Sequence, residues 1–362
     1  MFRRSVCWAR AAPIRRFERE TARLPAAPER EGAHLPMTVH RRPFGRTGWD
    51  ISEVAFGAWQ LGGQWGPVDD DASIRTLHDA FEAGVNFVDT AEMYGSGHSE
   101  QVVGEALRRW RGERIRVATK VQPPQWPHPS VDDPDIAAAY RPEYLRDQVE
   151  QSLRRLGVER IDLYQLHCWM PSGLRDRTWL DTLHALRDEG KIDRIGVSLR
   201  DYRPDEGVAL AEAGLVDSIQ VIYNIFEQSP EHELFPAAEA SGTAIIARVA
   251  LDSGSLSGAW TPETYDGWAD GSVLKTMFRD ERFAETLERV AAVREITGPY
   301  YDGLDEAAVR FVLDSSAVST AIVGMTNSRR LARNLSFADG RGLVDGLHDQ
   351  LAGSEWRRNY YI

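Results

Sequence analysis

The chain has 362 residues, of which 42% are hydrophobic and 27% charged, with a formal net charge of −12. No apolar run approaches the ~18 residues that a membrane-crossing helix needs, and the acidic balance, with one short arginine cluster beyond the first residues, argues against a nucleic-acid partner. Two cysteines, Cys7 and Cys168, make no disulfide framework and have no metal-ligand spacing. A cytoplasmic protein with no metal and no membrane association is therefore expected.

Residues 1–36 hold eight arginines and four glutamates without strand alternation or a sustained helical face. They have neither the apolar centre of a secretory signal nor the acid-poor composition of a transit peptide. A disordered extension is expected over 1–36, followed by one domain over 37–362 that begins near Met37.

Ordered sequence opens with a predicted β-hairpin, 39–44 and 49–54 flanking Gly45–Gly48, placed to plug a barrel floor. Eight short, mostly apolar runs follow at 54–56, 86–89, 115–119, 161–166, 194–197, 218–222, 243–247 and 320–323, as strands covered on both faces read. Helical candidates lie between them, including 71–82, 99–110, 143–156 and 174–189, and glycines at Gly84, Gly112, Gly157 and Gly190 supply stop signals. Eight βα units predict an α/β fold, a closed (β/α)₈ TIM barrel with an N-terminal β-hairpin. A doubly wound open sheet is the alternative, but no G-x-G-x-x-G follows the first strand. The stretch 250–280 after the seventh strand is rich in Gly, Ser, Asp and Trp without periodicity, and is expected to be a long loop folding over a ligand.

In such a barrel the chemistry sits where strands end. Asp89 ends the second strand, Tyr94 follows five residues on, Lys120 ends the third, and His167 ends the fourth. Singly, these residue types cap loops, sit in solvent or fill cores. Together they suit reduction of a carbonyl by hydride, whose developing alkoxide needs a proton. A phenol titrates near 10, so the expected device is the Lys120 ammonium favouring tyrosinate, with Asp89 pairing Lys120 and His167 orienting the substrate oxygen. Cys168, beside His167, has no base partner and is not expected to be a nucleophile.

The segments Gly84–Gly95 (GVNFVDTAEMYG), Ala118-Thr119-Lys120, Asp162–His167 (DLYQLH) and Gly196-Val197-Ser198 resemble the aldo-keto reductase family, in order, within a match from about Arg42 to Asn334. The resemblance implies the catalytic tetrad Asp89, Tyr94, Lys120 and His167, and a nicotinamide cofactor, NADPH/NADP⁺, lying extended across the barrel mouth. It places Ser198 and Gln220 on the nicotinamide carboxamide, although Leu199 stands where the family usually has Asn. Arg248 falls where many relatives stack an aromatic ring on the nicotinamide. Residues 249–256, with Leu251 and Ser253, resemble the family loop that closes over the diphosphate. After the eighth strand, Gly324 leads into a helix on which Arg330 would meet the adenosine 2′-phosphate and Asn334 the adenine; Arg333 is expected on its solvated face.

Trp59, Trp126 and Trp169 are the expected walls of a substrate pocket, and the aromatic C-terminal stretch 356–362 is expected to fold back near the mouth. The reading is an NADPH-dependent reductase of an aldehyde or ketone. Two other readings stay open: an NADPH-binding redox-sensing or scaffolding module with little turnover, and a barrel aldolase using Lys120 as a Schiff base.

Overall fold

The computed structural model describes residues 39–63, 66, 68–325 and 327–358. The expectations for residues 1–36 and for the last four residues of the C-terminal stretch lie outside the described residues.

Strands β1 (Arg41–Pro43) and β2 (Asp50–Ser52) pair antiparallel. Eight parallel strands then close a barrel: β3 (Val54–Gly57), β4 (Phe87–Asp89), β5 (Arg116–Val121), β6 (Ile161–Leu166), β7 (Ile192–Ser198), β8 (Ser218–Ile222), β9 (Ala244–Arg248) and β10 (Val318–Gly324), with β10 bonded to both β9 and β3. Every expected barrel strand is present: those at 161–166 and 218–222 keep their expected ends, and the other six differ by one or two residues at one or both ends.

Alternation of side chains along the strands sorts the barrel into layers. The floor is a separate apolar cluster in which Phe44, Trp49 and Ile51 of the hairpin pack beneath Ala55, Phe87, Ala118, Leu163, Ala244 and Ile246. The hairpin is thus a plug, as its position suggested. Its turn needs glycine: Gly45 has φ +49°, and a Cβ there would lie 2.4 Å from the Gly242 carbonyl oxygen. Two residues further along each strand, the same inward parity delivers Asp89, Lys120, Gln165 and Gln220. A closed floor and a polar upper layer leave the carboxyl end as the place for chemistry.

Most helices start and stop near the expected places, at Asp70–Glu82, His98–Arg109 and Pro142–Leu156. The fourth is shorter: residues 171–174 form a separate 3₁₀ turn opened by Pro171, and the helix runs Thr178–Asp188. The long loop expected after β9 is present and carries local structure. It contains 3₁₀ turns at Asp252–Ser257 and Pro262–Thr264 and a helix at Val273–Met277. Its aromatic residues build a small core of their own, in which Trp260, Tyr265 and Trp268 pack with Phe278, Phe283 and Tyr202.

Candidate active site

Asp89, Tyr94, Lys120 and His167 come together at the carboxyl end of the barrel. Lys120 is fully buried, and its ammonium donates to Asp89 Oδ1 and to the Thr90 carbonyl at 2.8 Å, while reaching the Tyr94 oxygen at 3.4 Å. Burial opposes the ammonium, but its interactions with Asp89 and Tyr94 outweigh it and hold the Lys120 pKa above its ordinary value. Asp89 Oδ2 accepts from Gln220 Nε2 at 2.9 Å and from Gln165 Nε2 at 3.3 Å. The buried carboxylate is therefore solvated by protein donors on both oxygens, as a buried charge must be.

The loop bearing Tyr94 is held by backbone contact. Gly95 has φ +62°, and its added Cβ would sit 2.3 Å from the Gly62 carbonyl oxygen. This close approach fixes the loop against the turn Trp59–Gly62, and Trp59 stacks on Tyr94 with centroids 6.0 Å apart. His167 meets the Tyr94 ring edge-on at 5.8 Å, and the exposed Trp126 meets His167 at 5.5 Å.

The electrostatics correct one expectation. Lys120 does pull the Tyr94 pKa down, but desolvation is the larger effect and Asp89 adds to it, so the phenol titrates above its ordinary 10. Tyr94 is held as the neutral phenol, an acid with its proton in place. Burial, then the cations Lys120 and Arg248, push His167 well below its ordinary value, so its imidazole is neutral. A neutral imidazole carries one N–H donor, and His167 Nδ1 is buried without a hydrogen-bond partner. Burial raises the Cys168 thiol to about 12, which makes it inert.

Of the three tryptophans expected in a substrate pocket, two lie beside the tetrad and one does not. Trp59 and Trp126 flank Tyr94 and His167, but Trp169 is fully buried, donates its indole N–H to the Glu206 carbonyl at 2.9 Å and packs edge-on against Trp179. Strand β6 ends at Leu166 and the chain turns, so the inward parity that reaches His167 is lost at Trp169.

The residues expected on a cofactor ring the same mouth, several with protein partners. Ser198 ends β7 and is buried beside Gln220, with Ser198 and Gln220 in register. Leu199 is buried in the main core, and its backbone, not a side-chain amide, is what it offers. Arg248 donates to the Leu199 carbonyl at 3.0 Å and to Asp201 at 2.5 Å. Leu251 and Ser253 lie on a loop with three left-handed non-glycine residues, Val249, Asp252 and Ser253. Gly324 is exposed at the end of β10, and Asn334, buried on the next helix, donates to its carbonyl at 3.1 Å. That bond explains Asn334 structurally. The helix Ser328–Leu335 is capped by Asn327, whose side chain accepts from the Arg330 amide at 2.9 Å, and it presents Arg329 and Arg330 exposed in its first turn. Arg333 lies on the exposed face, paired with Asp305.

Two buried polar residues near the tetrad escaped the sequence reading. Gln165 lies on the inward face of β6, two residues before His167, and a polar residue there in an apolar strand is a signal that alternation makes readable. Glu92 was the other. Its Oε1 accepts the Gln122 amide at 2.9 Å while Oε2 is buried with no partner, and burial raises its pKa to about 7.

A closed eight-stranded barrel carrying a buried Asp–Lys pair against a tyrosine and a neutral histidine defines an oxidoreductase site of the carbonyl-reducing kind. Residues 53–345 match the Aldo/keto reductase family, and the chain belongs to it. Among relatives, it is 28% identical over 305 residues to the NADH-specific methylglyoxal reductase of Escherichia coli, covering 81% of this chain and 92% of that one. It is 30% identical over 282 residues to aldo-keto reductase YhdN of Bacillus subtilis, covering 77% and 82%. The fold resembles the glycerol dehydrogenase AKR11B4 of Gluconobacter oxydans with a TM-score of 0.71 at 30% identity, over 87% of this chain and 94% of that one. It also resembles the holo form of aldo-keto reductase AKR11C1 of Bacillus halodurans, with a TM-score of 0.69 at 25% identity, over 90% and 100%. Among the described residues no helix is long and apolar enough to cross a membrane, and no group of three or more His, Cys, Asp or Glu side chains is placed to hold a metal ion.

Proposed function

We propose that the protein reduces an aldehyde or ketone to the alcohol with NADPH, Tyr94 delivering the proton. The observation that carries this reading is the Asp89–Lys120–Tyr94 chain of contacts beside a neutral His167. A bound nicotinamide supplies the hydride. Tyr94 holds the proton for the developing alkoxide, His167 donates to the carbonyl oxygen and orients it, and Lys120, locked by Asp89, stabilises the phenolate left when the proton has gone.

The residues around the mouth suit a dinucleotide. Orphaned polar atoms at Gln60 Oε1 and His167 Nδ1 need a partner. Left-handed conformations at Val249, Asp252 and Ser253 are the kind of local strain that collects at ligand clamps. The amides and exposed arginines opening the helix Ser328–Leu335 favour phosphate, and Arg330 is the residue for the 2′-phosphate. Trp59 and Trp126 would wall the substrate pocket.

NADH is the second reading for the cofactor, favoured by the NADH-specific relative. Oxidation of NADPH and NADH by this protein, followed by absorbance with a panel of aldehydes, small ketones and quinones, tests both. Turnover with NADPH at the lower KM is expected. Tight nucleotide binding with no turnover across the panel would favour a sensing module.

A further inference from the structure

The loop after β9 carries a charge of the wrong sign for the ligand assigned to it. Asp252 is 1% exposed, has φ +46°, and sits in the segment read above as closing over a diphosphate. A buried carboxylate beside an anionic ligand needs a counter-charge. Ser255 Oγ donates to one of its oxygens, and the other is met by the Nη2 of Arg358, from the far end of the chain.

Arg358 is brought there by an anchored segment. Gln228 donates to the Leu351 carbonyl at 2.9 Å at the end of the helix Leu347–Leu351. The Trp356 amide donates to the Phe226 carbonyl at 2.8 Å, and the two rings meet edge-on at 5.8 Å. The guanidinium groups of Arg289 and Arg358 lie 4.4 and 4.1 Å from the Trp356 ring centre, within cation–π range. The Arg358 side chain is only 9% exposed, so its pair with Asp252 lies in a poorly screened setting.

We propose that Arg358 is a positioning residue for the cofactor loop: by neutralising Asp252 it ties the loop after β9 to the C-terminal segment and lets that loop face an anionic ligand. The proposal rests on the cofactor reading given above, but the tie itself can be measured without nucleotide. Removing the guanidinium leaves Asp252 buried and uncompensated, and the loop must open to hydrate it. Removing both charges leaves nothing to hydrate.

The test compares wild type, Arg358→Met and the double variant Asp252→Asn/Arg358→Met by hydrogen exchange without nucleotide, and by titration with NADPH and NADH followed by fluorescence. The reporting amides are Gly254 and Leu256, both bonded to the Leu251 carbonyl. In Arg358→Met they should exchange about tenfold faster or more, and in the double variant return to within about threefold of wild type. Nucleotide Kd should rise about tenfold in the single variant and recover in the double. Unchanged exchange in Arg358→Met, or a double variant as fast as the single, would overturn the tie. Faster exchange with unchanged Kd would overturn its role in positioning the loop for the cofactor. If wild type binds neither nucleotide, the cofactor reading fails, and exchange alone decides the tie.

Discussion

Gln220 Nε2 donates to Asp89 Oδ2 at 2.9 Å, a bond that spans the barrel from β8 to β4. The residue expected on a nicotinamide carboxamide is therefore also a support for the carboxylate that holds Lys120. Gln220→Leu removes one of the donors to a buried charge and should cost about 1–3 kcal/mol of stability. Urea unfolding checks this, and a loss below about 0.5 kcal/mol would show that Gln165 alone suffices.

Gly95→Ala should damage chemistry more than cofactor binding. The substitution meets both an unfavourable φ of +62° and the Gly62 carbonyl at 2.3 Å, so the loop carrying Tyr94 must shift. Gly48 is the control: φ is +76° but the space beside it is open, and Gly48→Ala should cost only about 1–2 kcal/mol of conformational energy with chemistry intact. Equal single-turnover rates for the two variants would show that the Gly62–Gly95 contact does not position the phenol.

Much of this site was legible because strand alternation is a rigid rule. Once β4, β5 and β6 were placed, Asp89, Lys120 and His167 had to share the inner surface, and Phe87, Ala118 and Leu163 had to lie beneath them. The rule stops where strands stop, which is why Trp169 was misplaced: sequence adjacency to His167 carries no direction once the chain turns. The acidity of Tyr94 was missed for a different reason. The residue types fix the signs of the competing effects, but whether desolvation outweighs Lys120 depends on burial that only the packed structure shows. The aromatic core of 250–280 was hidden because its partner Tyr202 lies in the loop after β7, far away in sequence.

Glu92 should make stability fall as pH rises. Burial, opposed by the Gln122 amide and reinforced by Glu100, lifts its folded-state pKa from an ordinary 4.5 to about 7; Arg155 and Asp147 nearby act weakly and in opposite senses. A raised carboxyl pKa contributes stability that is full below 4.5 and lost as pH climbs through about 7, on the order of 3 kcal/mol at most. Glu92→Gln should flatten that part of the profile. The comparison is urea unfolding at pH 5 and pH 8, and an unchanged difference between the two would remove Glu92 as its source.

Arg330→Ala addresses cofactor choice. A charge-assisted contact to the 2′-phosphate is worth about 1.5–3 kcal/mol, so NADPH affinity should drop by that amount and NADH affinity should barely move. Fluorescence titration with both nucleotides reads this directly. Equal weakening, or tighter NADH than NADPH binding in wild type, would shift the assignment to the NADH reading.

Tyr94→Phe separates an enzyme from a binding module. The change deletes one oxygen and leaves the ring stacked on Trp59, so the barrel and the nucleotide site should persist. General acid assistance worth about 10²–10⁴-fold should vanish from hydride transfer. Burial keeps the wild-type phenol protonated beyond its ordinary 10, so reduction limited by this acid should stay level through neutral pH. Lys120→Met should also slow transfer, and it should lower stability because Asp89 is left buried without its cation. Neither variant should lose nucleotide affinity in proportion to rate. Nucleotide titration and single-turnover transfer to a reactive aldehyde, run on wild type and both variants, give the split between binding and chemistry. Wild-type rates in Tyr94→Phe would assign the proton to another group, and a wild type that binds nucleotide tightly yet transfers no hydride would make the barrel a sensor.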